Sequence, residues 1–378
     1  MSFDSVIFAY GQNKMHECTM MLPRGIREES IVGYARLYQL ETWLRELVYL
    51  ETKAHFGPQW WAQADAAIAR SKTPGMPAEK SLSRDKKHPH MATPENDPLW
   101  FLSFEALLKI IFDDQLWPLF ECYLTTKELL QAKFSEILPI RNRIGHNRPL
   151  HEDDLDRLRR ILRDLDQGFW RFCTSFNDTQ PFISKLGEDV VYTHFKERTG
   201  FDYVEVGPNQ FALVGSTIGM SQNLRVEYGY RPSAASKNFP EKGRTYHFTY
   251  SCNVRDRRWM DYRRILEQTQ RFHSMIVYIV LDSFQQQLGL SIPAIHPTPE
   301  IINAAESFYE ACGNLFTYSF SEKLEKDAEG KGLSPLQQID EINRPFEVLA
   351  AMWPHYVVPA GHAFEVLGPD CPCSFFDV

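Results

Sequence analysis

The chain has 378 residues, 43% of them hydrophobic and 24% charged. That length fits one large or two ordinary domains, and the balance fits a soluble globular protein with a real core. Aromatics at 13% argue against disorder, and a net charge of -8 excludes a field that draws nucleic acid over the whole surface. Any nucleic-acid site here has to be a local basic feature.

Seven cysteines, at positions 18, 122, 173, 252, 312, 371 and 373, follow no regular spacing and describe no disulfide framework. Cys371-Pro372-Cys373 lacks a second pair to complete a zinc site. The opening "MSFDSVIFAY" has no basic stretch and carries Asp4, so no signal peptide is expected. The longest apolar run, "MIVYIVL" at 275–281, is too short to span a bilayer. The expectation is a cytoplasmic protein without a membrane partner.

In chain order, residues 1–30 form an N-terminal extension. From 31 to about 56, Leu37, Leu40, Leu44, Leu47 and Val48 recur at helical steps and predict an amphipathic helix. Glu41 and Arg45 are four apart in the favourable order. They suit a surface bridge or the flank of a polar site. From about 69 to 98 the periodicity dissolves into Pro, Ser and Lys, which predicts a flexible insert. Helical patterns return at 100–111 and 113–122.

Thr125-Thr126-Lys127-Glu128 has the pattern of a capping box. The helix it opens carries Leu130, Phe134, Ile137, Leu138, Ile140 and Ile144, with Pro139 as an expected kink and Pro149 as the stop. Another helix is expected from Glu152 to Phe172, with three acids in its first turn. Residues 31–176 thus predict an all-α bundle.

Beyond 177 the texture changes. "FDYVEVGPNQFALVG", "LRVEYGY" and "TYHFTYSCNV" predict strands. A helix is expected at 258–272, then the strand "SMIVYIVLD", then mixed short elements to 378. The fold class expected is α+β overall, an N-terminal all-α bundle followed by a separate α+β domain at 177–378.

The chemistry concentrates in "LPIRNRIGHNRPL", residues 138–150. On a helix, Asn142 and His146 share a face. Arg141 lies about 140° round the axis from His146, within reach of the same seam on its long stem. Gly145 removes a side chain beside His146, so another backbone could approach closely. An isologous dimer would set two such groups face to face.

RNA supplies its own nucleophile, the 2′-hydroxyl. Cleavage needs a proton acceptor, a proton donor and positive charge at the phosphate. Histidine is the side-chain type suited to proton exchange near neutrality, which singles out His146. Arg141 offers permanent planar donors to phosphate oxygens, and Asn142 can orient either the imidazole or a phosphate. Arg143 and Arg148 add local charge for RNA. The bland alternative is a polar helix terminus. A decoy pair, Arg84 and His90, falls in the insert, where no helix is expected to hold it.

"RNRIGH" at 141–146 and the helix "RLYQLETWLRELVYL" resemble the HEPN superfamily of all-α ribonucleases and nucleotide-binding domains. The resemblance covers roughly 31–176. It implies that Arg141 and His146 are catalytic, Asn142 supporting, with Glu41 and Arg45 near the site. It further implies metal-independent cleavage at a composite homodimer site, without cofactor, leaving 2′,3′-cyclic phosphate ends. Such proteins are commonly toxins or anti-phage effectors. Members controlled by nucleotidyltransferase antitoxins tend to carry Tyr two residues after the His; here that position is Arg148. Restraint therefore falls to another antitoxin or trigger partner, or to the second domain. The alternative is a non-catalytic nucleotide-binding or protein-interaction module.

"RDRRWMDYRR" at 255–264 places Arg257, Arg258 and Trp259 as RNA-binding candidates, because charge tracks phosphates and rings stack bases. The competing reading is a solvated helix face with its aromatics packed inward. Asp282, Glu227, His247 and His273 form no ligand or nuclease pattern, and no phosphate-cradling Gly loop is present.

Overall fold

The computed structural model describes residues 27–71, 78–87, 98–175, 189–197, 202–207, 210–217, 220–235, 243–254, 258–282, 286–318 and 356–359. The protein is a mixed helical and sheet structure with a helical N-terminal region. Cys371 and Cys373, His90 and Arg257 lie outside the described residues, as do the side chains of Arg258, Trp259 and Asp282.

The helical region contains α1 (Glu28–Phe56), α2 (Trp60–Arg70), α3 (Ala78–Asp85), α4 (Phe104–Ile111), α5 (Trp117–Phe120), α6 (Lys127–Gly145) and α7 (Glu152–Thr174). Helix α1 is the axis of the group and packs against α2, α4, α5, α6 and α7. Its expected stripe is buried, with Leu40, Leu44, Leu47 and Val48 all fully enclosed. Each such side chain is worth about 1.5–3 kcal/mol of burial. Helix α7 crosses the turn after α5 at Gly168, where a Cβ would stand 1.5 Å from the Tyr123 carbonyl oxygen. No other residue fits that crossing.

Several local expectations are corrected. The insert carries helix α3, anchored by buried Ala78 and by Trp61 Nε1 donating to Glu79 (3.3 Å). Arg84 of the decoy pair therefore does sit on a helix. The Thr125 capping box does not form. Thr126 is the cap residue and makes no side-chain capping bond, and α6 includes Pro139, the residue expected to kink it, and ends at Gly145. The helix expected at 258–272 begins instead as strand β5, because Asp261 caps a helix that starts only at Tyr262.

After α8 (Val190–Lys196) come β1 (Asp202–Gly207), β2 (Gln210–Thr217), β3 (Met220–Tyr230), β4 (Arg244–Val254), β5 (Arg258–Met260), α9 (Tyr262–Thr269), β6 (Tyr278–Asp282), β7 (Gln287–Pro293), α10 (Thr298–Asn314), β8 (Phe316–Tyr318) and β9 (Tyr356–Pro359). Among the described residues, seven strands form one sheet in the order β1-β2-β3-β4-β7-β6-β9, antiparallel except for the parallel pair β6–β9. Strands β5 and β8 form a separate pair. Period-two alternation puts Tyr246, Phe248, Tyr250 and Cys252 of β4 into a core shared with α8, α9 and α10. Among the described residues no helix is long and apolar enough to cross a membrane.

The other sheet face meets the helices. Val277 and Tyr278 belong to the same hydrophobic cluster as α1. The decisive contact there is ionic. Glu51, late in α1, and Arg231, just after β3, are 0% and 1% exposed. The Arg231 Nη2 and Nε donate to Glu51 Oε1 at 2.6 and 2.9 Å. Remaining guanidinium donors reach the Ser175 carbonyl and hydroxyl, at 3.1 and 2.8 Å. Tyr123 and Ser233 donate to the carboxylate at 2.8 and 2.6 Å. Burial opposes the Arg231 charge, but the Glu51 carboxylate outweighs it and raises the guanidinium's pKa.

Glu51→Ala strands a buried cation and is expected to lower stability by about 3–5 kcal/mol, whereas Glu51→Leu with Arg231→Met recovers much of that. Urea titration measures both. A second expectation concerns pH. Burial, with Lys53 nearby, pushes His273 down to about 3. The unfolded chain takes that proton near 6.5, so stability is full above that value and falls as pH drops from there towards 3. The slope is about 1.4 kcal/mol per pH unit for that residue. Burial holds His247 at about 3 as well and lowers His296, so His273→Gln is expected to reduce the slope without abolishing it in urea titrations between pH 7.5 and 5.

Candidate active site

The end of α6 is built by a Schellman motif. Asn147 takes a positive φ of 55°. The Arg148 N–H donates to the Arg143 carbonyl (2.8 Å) and the Asn147 N–H to the Ile144 carbonyl (3.0 Å). Asparagine tolerates this left-handed conformation better than most residues. His146 is thereby the C-cap, and helix α6 stops before Pro149 is reached. The negative end of the helix dipole lies among Arg141, Arg143 and Arg148, with His146 at the cap.

Arg141 is held from a distance of 100 residues. Its Nε donates to Glu41 Oε1 of α1 at 3.1 Å. The other carboxylate oxygen accepts from Arg45 Nη2, also at 3.1 Å. Arg45 in turn donates to the Leu102 carbonyl (3.3 Å) and lies 5.6 Å from the Trp100 ring centroid. Glu41 and Arg45 side chains are 14% and 10% exposed, while Arg141 keeps 35% open to solvent. One carboxylate thus aligns two guanidiniums, one packed inward and one facing out.

The Arg141 stem carries its guanidinium along the last helical turn. Its Nη1 lies 3.6 Å from where a Gly145 Cβ would stand, and among the described residues no other side chain, its chain neighbours aside, lies within 4 Å of that position. Asn142 and His146 are exposed. Neither has a side-chain hydrogen bond among the described residues. The surface therefore presents a fixed cation, an open glycine and a titratable imidazole side by side on one helix end. These groups can receive a phosphate and exchange a proton.

Other sequence candidates fall elsewhere. Arg143 is turned to Asp154, with which it forms an ion pair, and so ties α6 to α7. Arg148 is exposed beside the site. Strand β5 carries Arg258 and Trp259, and Tyr262 buries its ring and donates to the Gln287 carbonyl (3.1 Å). Glu227 pairs with Arg225 (2.6 Å), and His247 lies between Thr245 and Tyr278. A groove of about 410 Å³ beside Arg70, Lys109 and Phe112 is a separate place. There Arg70 and Asp113 already satisfy each other, at 2.8 and 2.7 Å.

Three supports were missed from the sequence. Asn147 before Arg148 at a helix end signals a left-handed cap. Trp100 has no local signal. The cap of α7 uses His151, whose Nδ1 accepts from the Asp153 N–H (3.3 Å), while Asp154 accepts from the His151 N–H (2.7 Å). This is a capping box without Ser or Thr, which hid it.

Burial works against the Asp154 charge, but Arg143 and the His151 N–H outweigh it and hold the carboxyl below its usual range. Its stabilisation is full above the unfolded value of about 4 and is lost as pH falls through the lower folded value. Asp154→Ala is expected to cost about 1–2 kcal/mol at pH 7. Thermal melts between pH 7 and 3 check that this difference shrinks on acidification. Set beside family models, curated proteins and solved structures, the chain matches none of them.

Proposed function

We propose that this protein is a metal-independent endoribonuclease whose helical region is a HEPN-like bundle. The observation that supports it best is the pairing of Arg141 with Glu41 next to Gly145 and an exposed His146 that makes no side-chain hydrogen bond among the described residues. Arg141 binds the non-bridging phosphate oxygens. A His146 imidazole takes the 2′-hydroxyl proton as that oxygen attacks phosphorus, and a protonated His146 returns one to the departing 5′-oxygen. The products are a 2′,3′-cyclic phosphate and a 5′-hydroxyl. Asn142 orients the imidazole or the phosphate.

One protomer contributes one His146, and the reaction asks for an acceptor and a donor. A homodimer through the bundle supplies both, with the two Gly145 faces permitting close approach. The biological role that fits is a toxin or anti-phage effector acting on cellular RNA. The α+β region then recognises substrate, trigger or an antitoxin-like partner.

A second reading is an interaction module in which Glu41, Arg45 and Arg141 clasp α1 to α6 and His146 meets a partner protein or nucleotide. The Glu41 bonds are compatible with it.

Wild type, Arg141→Ala and His146→Ala are incubated with total RNA and with tRNA in EDTA, and the fragment ends are mapped. Cleavage by wild type with cyclic phosphate ends is expected, with losses of about 10²–10⁴-fold in each variant. Full activity in His146→Ala, or a strict need for divalent metal, overturns the reading. Nucleotide or partner binding without RNA cleavage favours the module.

A further inference from the structure

Helix α1 carries a feature that the reaction does not use. Its N-terminal half exposes Ile31, Tyr34 and Tyr38 at 39%, 60% and 58%, while Leu37 and Leu40 are buried. The two phenol rings lie nearly parallel, at 25°, with centroids 6.3 Å apart. Steps of three and four residues keep this stripe on one face, and that face continues to Glu41. Along the axis Tyr38 and Tyr34 stand about 4.5 and 10.5 Å from Glu41. Gly33, one residue before Tyr34 and about 100° round the axis from it, seats α1 against the end of α6: a Cβ there would meet Ile144 at 3.1 Å and Leu150 at 3.0 Å. The stripe leads along the same helix to Glu41, the carboxylate that holds Arg141.

We infer that Tyr34 and Tyr38 form a stacking platform for unpaired bases of the RNA strand, next to the phosphate held by Arg141. The inference rests on the nuclease reading of that site. A phenol face stacks on any base without selecting its sequence. The chemistry suits an acidic chain of net charge -8, which attracts an RNA backbone only where basic residues gather locally. Stacking supplies affinity that charge alone does not. The stripe is also small. Taking about 200 Å² per aromatic side chain, it exposes roughly 300 Å². A standard protein interface needs about 800 Å² per partner, so these three residues alone do not hold a second copy.

The test uses the full chain in a His146→Ala background, so that single-stranded RNA binds uncut. Affinity is measured over a range of salt, with a 2-aminopurine base placed near the mapped cleavage position. Tyr34→Ala with Tyr38→Ala is expected to weaken binding at least tenfold and to abolish the fluorescence quenching. Tyr→Phe at both positions retains both. The slope of affinity against salt stays the same, because no phosphate contact is lost. Unchanged affinity and quenching in the double Ala variant, while wild type still cuts RNA, overturns this inference alone. Unchanged affinity with a changed oligomeric state assigns the face to a second copy and likewise overturns it. Absence of both RNA binding and cleavage in wild type overturns the nuclease reading and this inference together. Both side chains are exposed, so an unaltered thermal melt is expected in every variant.

Discussion

A single buried carboxylate, Glu51, sets how the two halves of this chain meet. It lies in a helix fully enclosed at that point and takes its counter-ion, Arg231, from 180 residues away. Neither charge survives burial alone, so the helix and the strand end must dock in the one geometry that brings them together. Tyr123, Ser175 and Ser233 complete the shell, which draws the turn after α5 and the end of α7 to the same point. Apolar packing alone would tolerate sliding between sheet and helices. A shell of directional bonds around a buried ion pair does not.

Helix α1 transmits that constraint. Glu41 and Glu51 are ten residues apart on one continuous helix, so about 15 Å of rigid rise separates them. The buried end fixes the rotation of the helix about its axis. That rotation decides which face the N-terminal half shows, and so where Glu41 points and where Tyr34 and Tyr38 are exposed. The orientation of Arg141 is thus indexed to a network that it does not touch. Glu41 stands between two guanidiniums of different burial, which leaves Arg45 as a fixed structural cation and Arg141 as the one open to a ligand.

The end of α6 shows how local chemistry makes an exposed site without strain elsewhere. A left-handed Asn147 closes the helix, Asp154 and Arg143 lash the following turn to α7, and His146 is left at the corner. Each of those interactions spans a dozen residues or fewer. The turn itself is therefore a local product, while its pairing with Glu41 and the packing of Ile144 and Leu150 on Gly33 are long-range.

The amino-acid sequence by itself determined what depends on near neighbours. Leucine spacing marked α1 and α7, alternation marked β3 and β4, and the placement of Arg141, Asn142 and His146 at a helix end followed from periodicity and the flanking proline. The Glu41–Arg45 pair was visible at four-residue spacing. Helix α3 was hidden by its proline- and lysine-rich surroundings, and β7, in "QLGLSIP", was hidden by its short, glycine-interrupted pattern. Tertiary structure alone decided that Glu41 reaches Arg141, that Glu51 is buried against Arg231, that β9 lies beside β6, and that Tyr34 and Tyr38 face solvent. Helix and strand periods are properties of residues a few positions apart. The partner of a charge and the exposure of a ring depend on which distant segment arrives beside them, and no spacing along the chain encodes that.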